Sequence, residues 1–145
     1  QEAFSIAKYY KRAKGGQIET SVPADLPAVV GVRDQLVQVV LNLILNAIDA
    51  TGPGGKILVR AERVDENIVI AVEDNGAGIA NEHLPRLFQP YFTTKKHGTG
   101  LGLFVTRKLV HEHGGDIAVT SRLGAGTRFH LRVPAAVQVE VRSLV

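Results

Sequence analysis

The sequence predicts an α+β fold, with helices packed on one face of a sheet. Segments that alternate apolar and polar residues are typical of strands, and they occupy positions 56–64, 67–74, 116–121 and 127–133. Helical spacing of apolar residues occupies positions 34–51 and 101–113. Because strands and helices do not strictly alternate along the chain, a layer of helices on one sheet face is favoured.

The remaining elements follow from local signals. Apolar residues at mixed three- and four-residue spacing predict a short helix over 4–13. Asp34 stands where the long helix needs an N-cap. Two short strands and two hairpin turns are predicted, the strands at 17–22 and 28–32 and the turns at 65–66 and 123–126.

The composition limits the classes of function. With 145 residues, of which 45% are hydrophobic, the chain is expected to fold as one domain. It has no cysteine, which excludes disulfides, thiolate metal sites and cysteine nucleophiles. This is compatible with a reducing cytoplasm, where we expect the domain to work. No apolar stretch is long enough to cross a bilayer, and no signal peptide is visible.

The charge distribution favours a small anionic ligand. The net charge is +3 and the pI is about 9.4, but the basic residues are spread along the chain instead of clustering with aromatic residues. A nucleotide is therefore favoured as ligand, and we expect no nucleic acid partner.

A polar stripe runs along the long predicted helix. It consists of Gln35, Gln38, Asn42, Asn46 and Asp49, which step by three or four residues while apolar residues fill the other faces. A solvated face would normally carry Lys, Glu and Arg, since asparagine has poor helix propensity. Amide oxygens are neutral ligands of the kind that Mg²⁺ accepts beside water and phosphate. From this segment alone, a metal-ligand role and a plain solvent-facing edge are equally supported.

An acidic residue stands at the end of a predicted strand, followed by two glycines. Asp74 precedes Gly76 and Gly78, and its carboxylate can accept a hydrogen bond from an exocyclic amine such as that of adenine. The glycines would let the backbone pass close to a flat ring. The alternative is an Asn-Gly hairpin turn, but positions 79–84 resemble a helix start more than a paired strand, which favours a functional role.

A second glycine-rich loop, at positions 97–103, leads directly into the helix at 101–113. Its N–H groups and the positive helix end would favour phosphates. The segment is neither a P-loop nor a dinucleotide fingerprint, and glycines before a helix often form only a flexible connection. The preceding segment, 88–96, contains aromatic residues, hydroxyl groups and two lysines, Lys95 and Lys96. It is predicted to form a mobile lid over a polyphosphate.

Taken together and in this order, these segments resemble the N, G1, F and G2 boxes of sensor histidine kinase catalytic domains. Those domains share the Bergerat ATP-binding fold with gyrase, HSP90 and MutL, and the resemblance covers the chain from Asp34 to Val133. It implies a two-layer α/β sandwich with a mixed, mostly antiparallel sheet of about five strands, covered on one face by about three helices. It also implies ATP and Mg²⁺ as cofactors.

The resemblance assigns roles to individual residues. It implies that Asn46 coordinates Mg²⁺ with support from Asn42, that Asp74 reads the adenine amino group, and that Thr127 holds the adenine through water. Gly76 and Gly78 would make room for the base, and Ile79 would pack on it. The phosphates would lie against Gly98, Thr99, Gly100, Leu101, Gly102 and Leu103. The other implied ATP contacts are Asp49, Ala50, Tyr91, Thr93, Thr94 and Lys95, and the implied catalytic residues are Asn42, Asn46 and Lys95.

One departure from the wider fold bears on the reaction. The hydrolysing relatives carry a glutamate where this chain has Asn42, so no carboxylate stands there to activate water. This favours phosphoryl transfer to a protein acceptor over hydrolysis, with Mg²⁺, positioning and electrostatics supplying the catalysis. The run from Asn46 to Ala50 and the short lid from Tyr91 to Lys95 resemble nitrogen-regulation sensors.

The resemblance also implies partners. Sensor kinases phosphorylate a histidine on their dimerisation helices, and the phosphoryl group then passes to an aspartate of a response regulator. None of the five histidines fits the acceptor role. His111 precedes Glu112 but lies near a helix end, where a surface role is expected. We therefore expect the acceptor on a dimerisation domain before Gln1, the full-length protein to be a homodimer and this chain to be a monomer. A membrane anchor elsewhere in the full-length protein is left open.

This interpretation divides the chain into three parts: the end of a linker helix at 1–15, the ATP-binding domain at 16–134 and a tail at 135–145. Two alternatives are retained. One is a nucleotide-binding module that regulates a partner without transfer, and the other is an anti-sigma-type serine kinase of the same fold. An ATPase is disfavoured because the expected base is missing.

Overall fold

The computed structural model describes residues 17–21, 28–29, 33–93, 102–135 and 139–140. The strands are β1 (Gln17–Ser21), β2 (Ala28–Val29), β3 (Lys56–Val64), β4 (Asn67–Asp74), β5 (Asp116–Arg122), β6 (Gly126–Pro134) and β7 (Val139–Glu140). Five of them form one sheet in the order β1-β3-β4-β6-β5. Only the β1 and β3 pair is parallel within it, so the predicted mixed, mostly antiparallel sheet is confirmed.

The two predicted hairpins are present. β3 and β4 are joined at positions 65–66, and β5 and β6 are joined at 123–125. A separate antiparallel pair joins β2 to β7, which lies within the positions predicted as the tail. The helix predicted over 4–13 lies outside the described residues.

In the part of the chain that the structure describes, two α-helices cover one face of the sheet, α1 (Arg33–Thr51) and α2 (Gly102–Glu112). α1 begins one residue earlier than predicted, so Asp34 lies in its first turn instead of at the N-cap. A carboxylate in the first turn still interacts favourably with the positive end of the helix. Among the described residues, no helix is long and apolar enough to span a membrane.

The helix start predicted at 79–84 forms only a 3-10 turn, at Leu84–Arg86. The amide of His83 donates to the carbonyl of Ala80, and the amide of Arg86 donates to the carbonyl of His83, so the bonds span three residues instead of four. Pro85 has no amide hydrogen with which to continue an α-helix from position 81. Among the described residues between β4 and α2, the predicted helix is therefore reduced to this short turn.

The core lies between α1 and the sheet. The apolar face of α1 is buried, as the spacing predicts, and so is the inner row of each central strand. The largest fully buried side chains are Leu43, Ile44, Ile48, Ile57, Ile68, Ile70, Leu131, Val39 and Val40. Because alternate strand residues face this core, Asp74 and Thr127, at strand ends on the same face, lie at the edge where α1 ends and α2 begins.

The opposite face of the sheet carries ion pairs. Glu73 lies 3.4 Å from Arg60 and 3.3 Å from Arg128, and the side chains of the three residues are between 30% and 53% exposed. Pairs this exposed contribute at most about 1 kcal/mol each. Glu73 thus belongs to the open face, whereas its neighbour Asp74 belongs to the helix-covered face.

Candidate functional site

A cavity of about 600 Å³ opens where the end of β4 meets α1 and the start of α2. Its volume is within the range of small-molecule sites. Ten of the predicted site residues line it: Asn46, Asp49, Ala50, Asp74, Gly78, Ile79, Thr93, Gly102, Leu103 and Thr127. The structure therefore brings together residues of the N, G1, F and G2 segments in one concave site.

Two polar residues at the strand ends form one wall of the cavity. Asp74 of β4 and Thr127 of β6 are directly opposite each other in the sheet register. The carboxylate oxygen Oδ1 of Asp74 accepts a hydrogen bond of 2.9 Å from the amide of Gly76, and Thr127 is only 6% exposed. Just before Thr127, Gly126 passes so close to β4 that a Cβ there would lie 2.1 Å from the Asp74 carbonyl oxygen.

The loop that follows Asp74 is held on both sides by backbone hydrogen bonds. The amide of Ala77 donates to the carbonyl of Ala50 at the end of α1, at 3.1 Å. Its carbonyl accepts from the amide of Gly124 in the β5–β6 turn, at 2.6 Å. The loop is thus fixed between the helix layer and a hairpin that are far apart in sequence.

The two glycines of this loop are required by the protein backbone itself. A Cβ on Gly76 would lie 2.4 Å from the carbonyl oxygen of Ala50, and one on Gly78 would lie 2.1 Å from that of Arg122. Gly78 also has a φ of +73°, which favours glycine. Gly78 lines the cavity whereas Gly76 does not. Close packing therefore accounts for both glycines without any ligand.

Ser121 is a polar contact that the sequence analysis does not predict. Its hydroxyl oxygen lies 2.8 Å from the amide nitrogen of Ile79, 2.9 Å from the carbonyl oxygen of Gly126 and 2.9 Å from the hydroxyl of Thr127. A serine on the core-facing row of β5, after Ile117 and Val119, is the sequence signal that would have identified it.

On α1 the polar stripe divides between two environments. Asn46 and Asp49 line the cavity, but Asn42 does not. The Nδ2 atom of Asn42 donates to the hydroxyl of Thr106, at 3.2 Å, and that hydroxyl donates to the carbonyl of Gly102, at 2.8 Å. Thr106 is fully buried on α2. Asn42 therefore contacts the start of the second helix through a threonine that the sequence analysis also does not predict.

The predicted lid segment is described up to Thr93. Phe92 lines the cavity, with its ring 5.5 Å from that of His83 and 4.6 Å from the guanidinium of Arg86. Tyr91 is 76% exposed and does not line the cavity. The other predicted contacts lie outside the described residues: Thr94, Lys95, Gly98, Thr99, Gly100 and Leu101.

The apolar part of the cavity wall comes from several elements. The lining residues that the sequence analysis does not predict as ligand contacts are Ala77, Ala80, His83, Leu87, Phe92, Leu123 and Phe129. The ring of Phe129 also packs edge-on against that of Phe88, at 6.3 Å between centroids. An apolar wall beside two polar strand ends suits a ligand with a flat, apolar part and a polar edge.

Comparison with known proteins identifies the family. The sequence profile described as histidine kinase-, DNA gyrase B-, and HSP90-like ATPase matches residues 31–137. The sensor histidine kinase ZraS of Escherichia coli (strain K12) is 46% identical over 118 residues, which are 81% of this chain and 25% of that protein. The sensory histidine kinase/phosphatase NtrB of Rhizobium leguminosarum bv. phaseoli is 38% identical over 140 residues, covering 86% of this chain and 36% of that protein. The chain thus spans about a quarter to a third of the length of these curated relatives.

Solved structures agree with the sequence relatives. A nucleotide-free catalytic domain of histidine kinase ThkA is 33% identical, with a TM-score of 0.83 over 92% of this chain and 90% of that chain. Full-length ShkA in complex with AMPPNP is 28% identical, with a TM-score of 0.84 over 96% of this chain and 30% of that chain. Since the profile covers most of this chain and the ThkA domain is matched along most of its length, the chain belongs to the histidine kinase-, DNA gyrase B- and HSP90-like ATPase family, as a histidine kinase catalytic domain.

Proposed function

We propose that the cavity binds ATP with Mg²⁺ and that the domain transfers the γ-phosphoryl group to a histidine of a separate dimerisation domain. The observation that carries the proposal is that one cavity joins Asp74 and Thr127, at the strand ends, to Asn46 of α1 and Gly102 of α2. These groups suit the two chemically different ends of a nucleotide. The complex of the relative ShkA with AMPPNP supports the same ligand class.

The base would lie against the strand ends. The carboxylate of Asp74 would accept a hydrogen bond from the exocyclic amine, and Thr127, which is buried, is its neighbour across the sheet. Ile79, Leu103 and Phe129 supply apolar surface for the ring. Because the loop after Asp74 is fixed by backbone hydrogen bonds, this wall is preformed and loses little entropy on binding.

The phosphates would lie towards the helices. Gly102 is the first residue of α2, and the N–H groups of a helix start attract phosphate oxygens. On α1, Asn46 lines the cavity, and its amide oxygen can complete a coordination shell of Mg²⁺ that consists mainly of phosphate oxygens and water. When bound, Mg²⁺ neutralises charge that develops on the transferred group.

The residue at position 42 favours phosphoryl transfer over hydrolysis of ATP. The side chain of Asn42 ends in an amide, not a carboxylate, and its Nδ2 atom donates a hydrogen bond to the hydroxyl of Thr106. This residue therefore does not activate water. In the proposed transfer a histidine nitrogen attacks the γ-phosphorus, the bond to the bridging oxygen breaks, and ADP leaves. The domain's own task is to hold the phosphoryl group in line with its acceptor.

The proposed partners follow from this reaction. They are the dimerisation domain of the same full-length protein, acting as a homodimer, and a response regulator that takes the phosphoryl group onto an aspartate. We place the domain in the cytoplasm, where ATP is available. The relatives ZraS, named as a sensor histidine kinase, and NtrB, named as a sensory histidine kinase/phosphatase, support the histidine acceptor and the response regulator.

The test is a transfer assay. The chain is mixed with Mg²⁺, γ-labelled ATP and the separately prepared, histidine-bearing dimerisation domain that we propose for the full-length protein. Acid-labile label on that domain is expected, because phosphohistidine hydrolyses in acid. Binding of ATP without transfer would favour a regulatory module, and acid-stable label on an added protein substrate would favour a serine kinase. A chain that binds no ATP would overturn the proposal.

A further inference from the structure

A row of three polar residues crosses the sheet at the cavity wall. Asp74 of β4 is opposite Thr127 of β6, and Thr127 is opposite Ser121 of β5. All three belong to the sheet face that the helices cover. Ser121 does not line the cavity, so it acts on a ligand only through Thr127 and Ile79, which do.

The proton of the Thr127 hydroxyl can be located from the contacts of Ser121. The amide of Ile79 can only donate to Ser121, at 2.8 Å, and the carbonyl of Gly126 can only accept from it, at 2.9 Å. A serine hydroxyl has one proton, so all three contacts are satisfied at once only if Ser121 donates that proton to the Gly126 carbonyl. The third contact, 2.9 Å to Thr127, is then satisfied only if Thr127 donates.

This arrangement fixes what Thr127 presents to the cavity. Its proton is directed at Ser121, away from the ligand, so the hydroxyl presents an acceptor to the site. Its neighbour Asp74 is also an acceptor when ionised. The wall formed by these two residues therefore accepts hydrogen bonds and donates none from its side chains.

We propose that Ser121 is a specificity-determining positioning residue, which holds the Thr127 hydroxyl as an acceptor so that the site selects 6-amino purines over 6-oxo purines. The inference rests on the proposed nucleotide-binding function. An adenine amino group, or a water bonded to it, supplies the donors that such a wall needs. The 6-oxo group of hypoxanthine is an acceptor, and it would face two acceptors with no proton between them.

Removal of the Ser121 hydroxyl should therefore relax selectivity. In Ser121→Ala the Thr127 proton is free to turn towards the cavity and donate to a 6-oxo group. We expect the ratio of ADP to IDP affinity to fall about tenfold, mainly because IDP binding strengthens while ADP binding is largely retained. The Asp74 carboxylate stays in place, so some preference for ADP should persist.

The experiment measures dissociation constants for ADP and IDP by calorimetry in the wild-type chain, Ser121→Ala, Thr127→Val and the double variant. Because Ser121 acts through Thr127, Ser121→Ala should not lower the ratio further in the Thr127→Val background. Thr120→Ala, at an exposed position on the other face of β5, is the matched control and should keep the wild-type ratio. If Ser121→Ala fails to fold, Ser121→Cys is titrated instead, and its weakly bonding thiol should give an intermediate ratio.

The outcomes separate this inference from the proposed function. If the wild-type chain selects ADP and the folded Ser121 variant weakens ADP and IDP by the same factor, Ser121 is only structural and the inference is overturned. If the wild-type chain binds neither nucleotide, the proposed function itself fails and the inference fails with it.

Discussion

The two ends of the cavity are built differently. The end at Asp74 is made of strand ends and a loop whose glycines pack on neighbouring backbone, and hydrogen bonds hold that loop to α1 and to the β5–β6 hairpin. The end at Asn46 is made of two helices joined through side chains, with Asn42 bonded to Thr106 and Thr106 to Gly102. The proposed base end is thus held in shape by backbone packing, whereas the proposed phosphate end is held by a few replaceable side chains.

We expect the largest effect from a substitution that disrupts the backbone packing at the Asp74 end of the cavity. Gly78→Ala places a Cβ 2.1 Å from the Arg122 carbonyl at a φ of +73°, and should lower the free energy of unfolding by roughly 3 to 5 kcal/mol. Gly124→Ala is the matched control, because its φ of +82° is similar but nothing lies within 4 Å. The control should lose only about 1 to 2 kcal/mol. Urea unfolding of both variants measures these losses in the free energy of unfolding. Equal losses would mean that close packing does not explain why position 78 requires glycine.

We expect the second largest effect from a substitution that removes the proposed base contact without disturbing packing. Asp74→Asn replaces one carboxylate oxygen by an NH₂ donor, and ADP affinity should fall by about 100-fold or more, equivalent to about 2.7 kcal/mol. Glu73→Gln alters the adjacent residue on the open face, where only exposed ion pairs are lost. Its affinity should stay within about twofold of wild type. Unchanged ADP binding in the Asp74 variant, measured by calorimetry, would overturn our placement of the adenine.

At the helix end we expect a smaller effect that depends on Mg²⁺. Asn46→Asp should change the Mg²⁺ concentration needed for ATP binding by about tenfold and slow transfer, while metal-free ADP binding changes little. Gln38→Glu makes the same amide-to-carboxylate change at an exposed position of the same stripe and should behave as wild type. Titration of ATP at several Mg²⁺ concentrations tests this. An equal effect with and without the ion would exclude a metal-ligand role for Asn46.

The smallest effect concerns the contact between the helices. Thr106→Val removes the hydroxyl that accepts from Asn42 and donates to Gly102, and should slow phosphoryl transfer by about threefold to tenfold. Thr106→Ser keeps the hydroxyl and should restore the rate, even though it leaves a small cavity. The measurement is a single-turnover transfer rate at saturating ATP. Equal rates in the two variants would show that packing, not the hydrogen bond, is what matters at this position.

The sequence predicted the sheet, both hairpins and the buried face of α1, because each leaves a periodic pattern in contiguous residues. It did not predict Ser121 or Thr106 as parts of the site. Their partners Ile79 and Asn42 are 42 and 64 residues away, and no local pattern encodes such contacts. The helix expected from position 79 was wrong for a different, local reason, because Pro85 interrupts a pattern that otherwise suits a helix.

The close approach of Gly126 to the Asp74 carbonyl has a consequence for folding. A slip of β6 by one position would bring Arg128 or Gly126 opposite Asp74 in place of Thr127, and would turn the buried row of the strand towards the open face. A side chain larger than hydrogen at position 126 cannot be accommodated beside β4. Only the correct strand alignment therefore assembles the proposed base site, so a nucleotide-binding measurement would also report whether β6 has folded in the correct register.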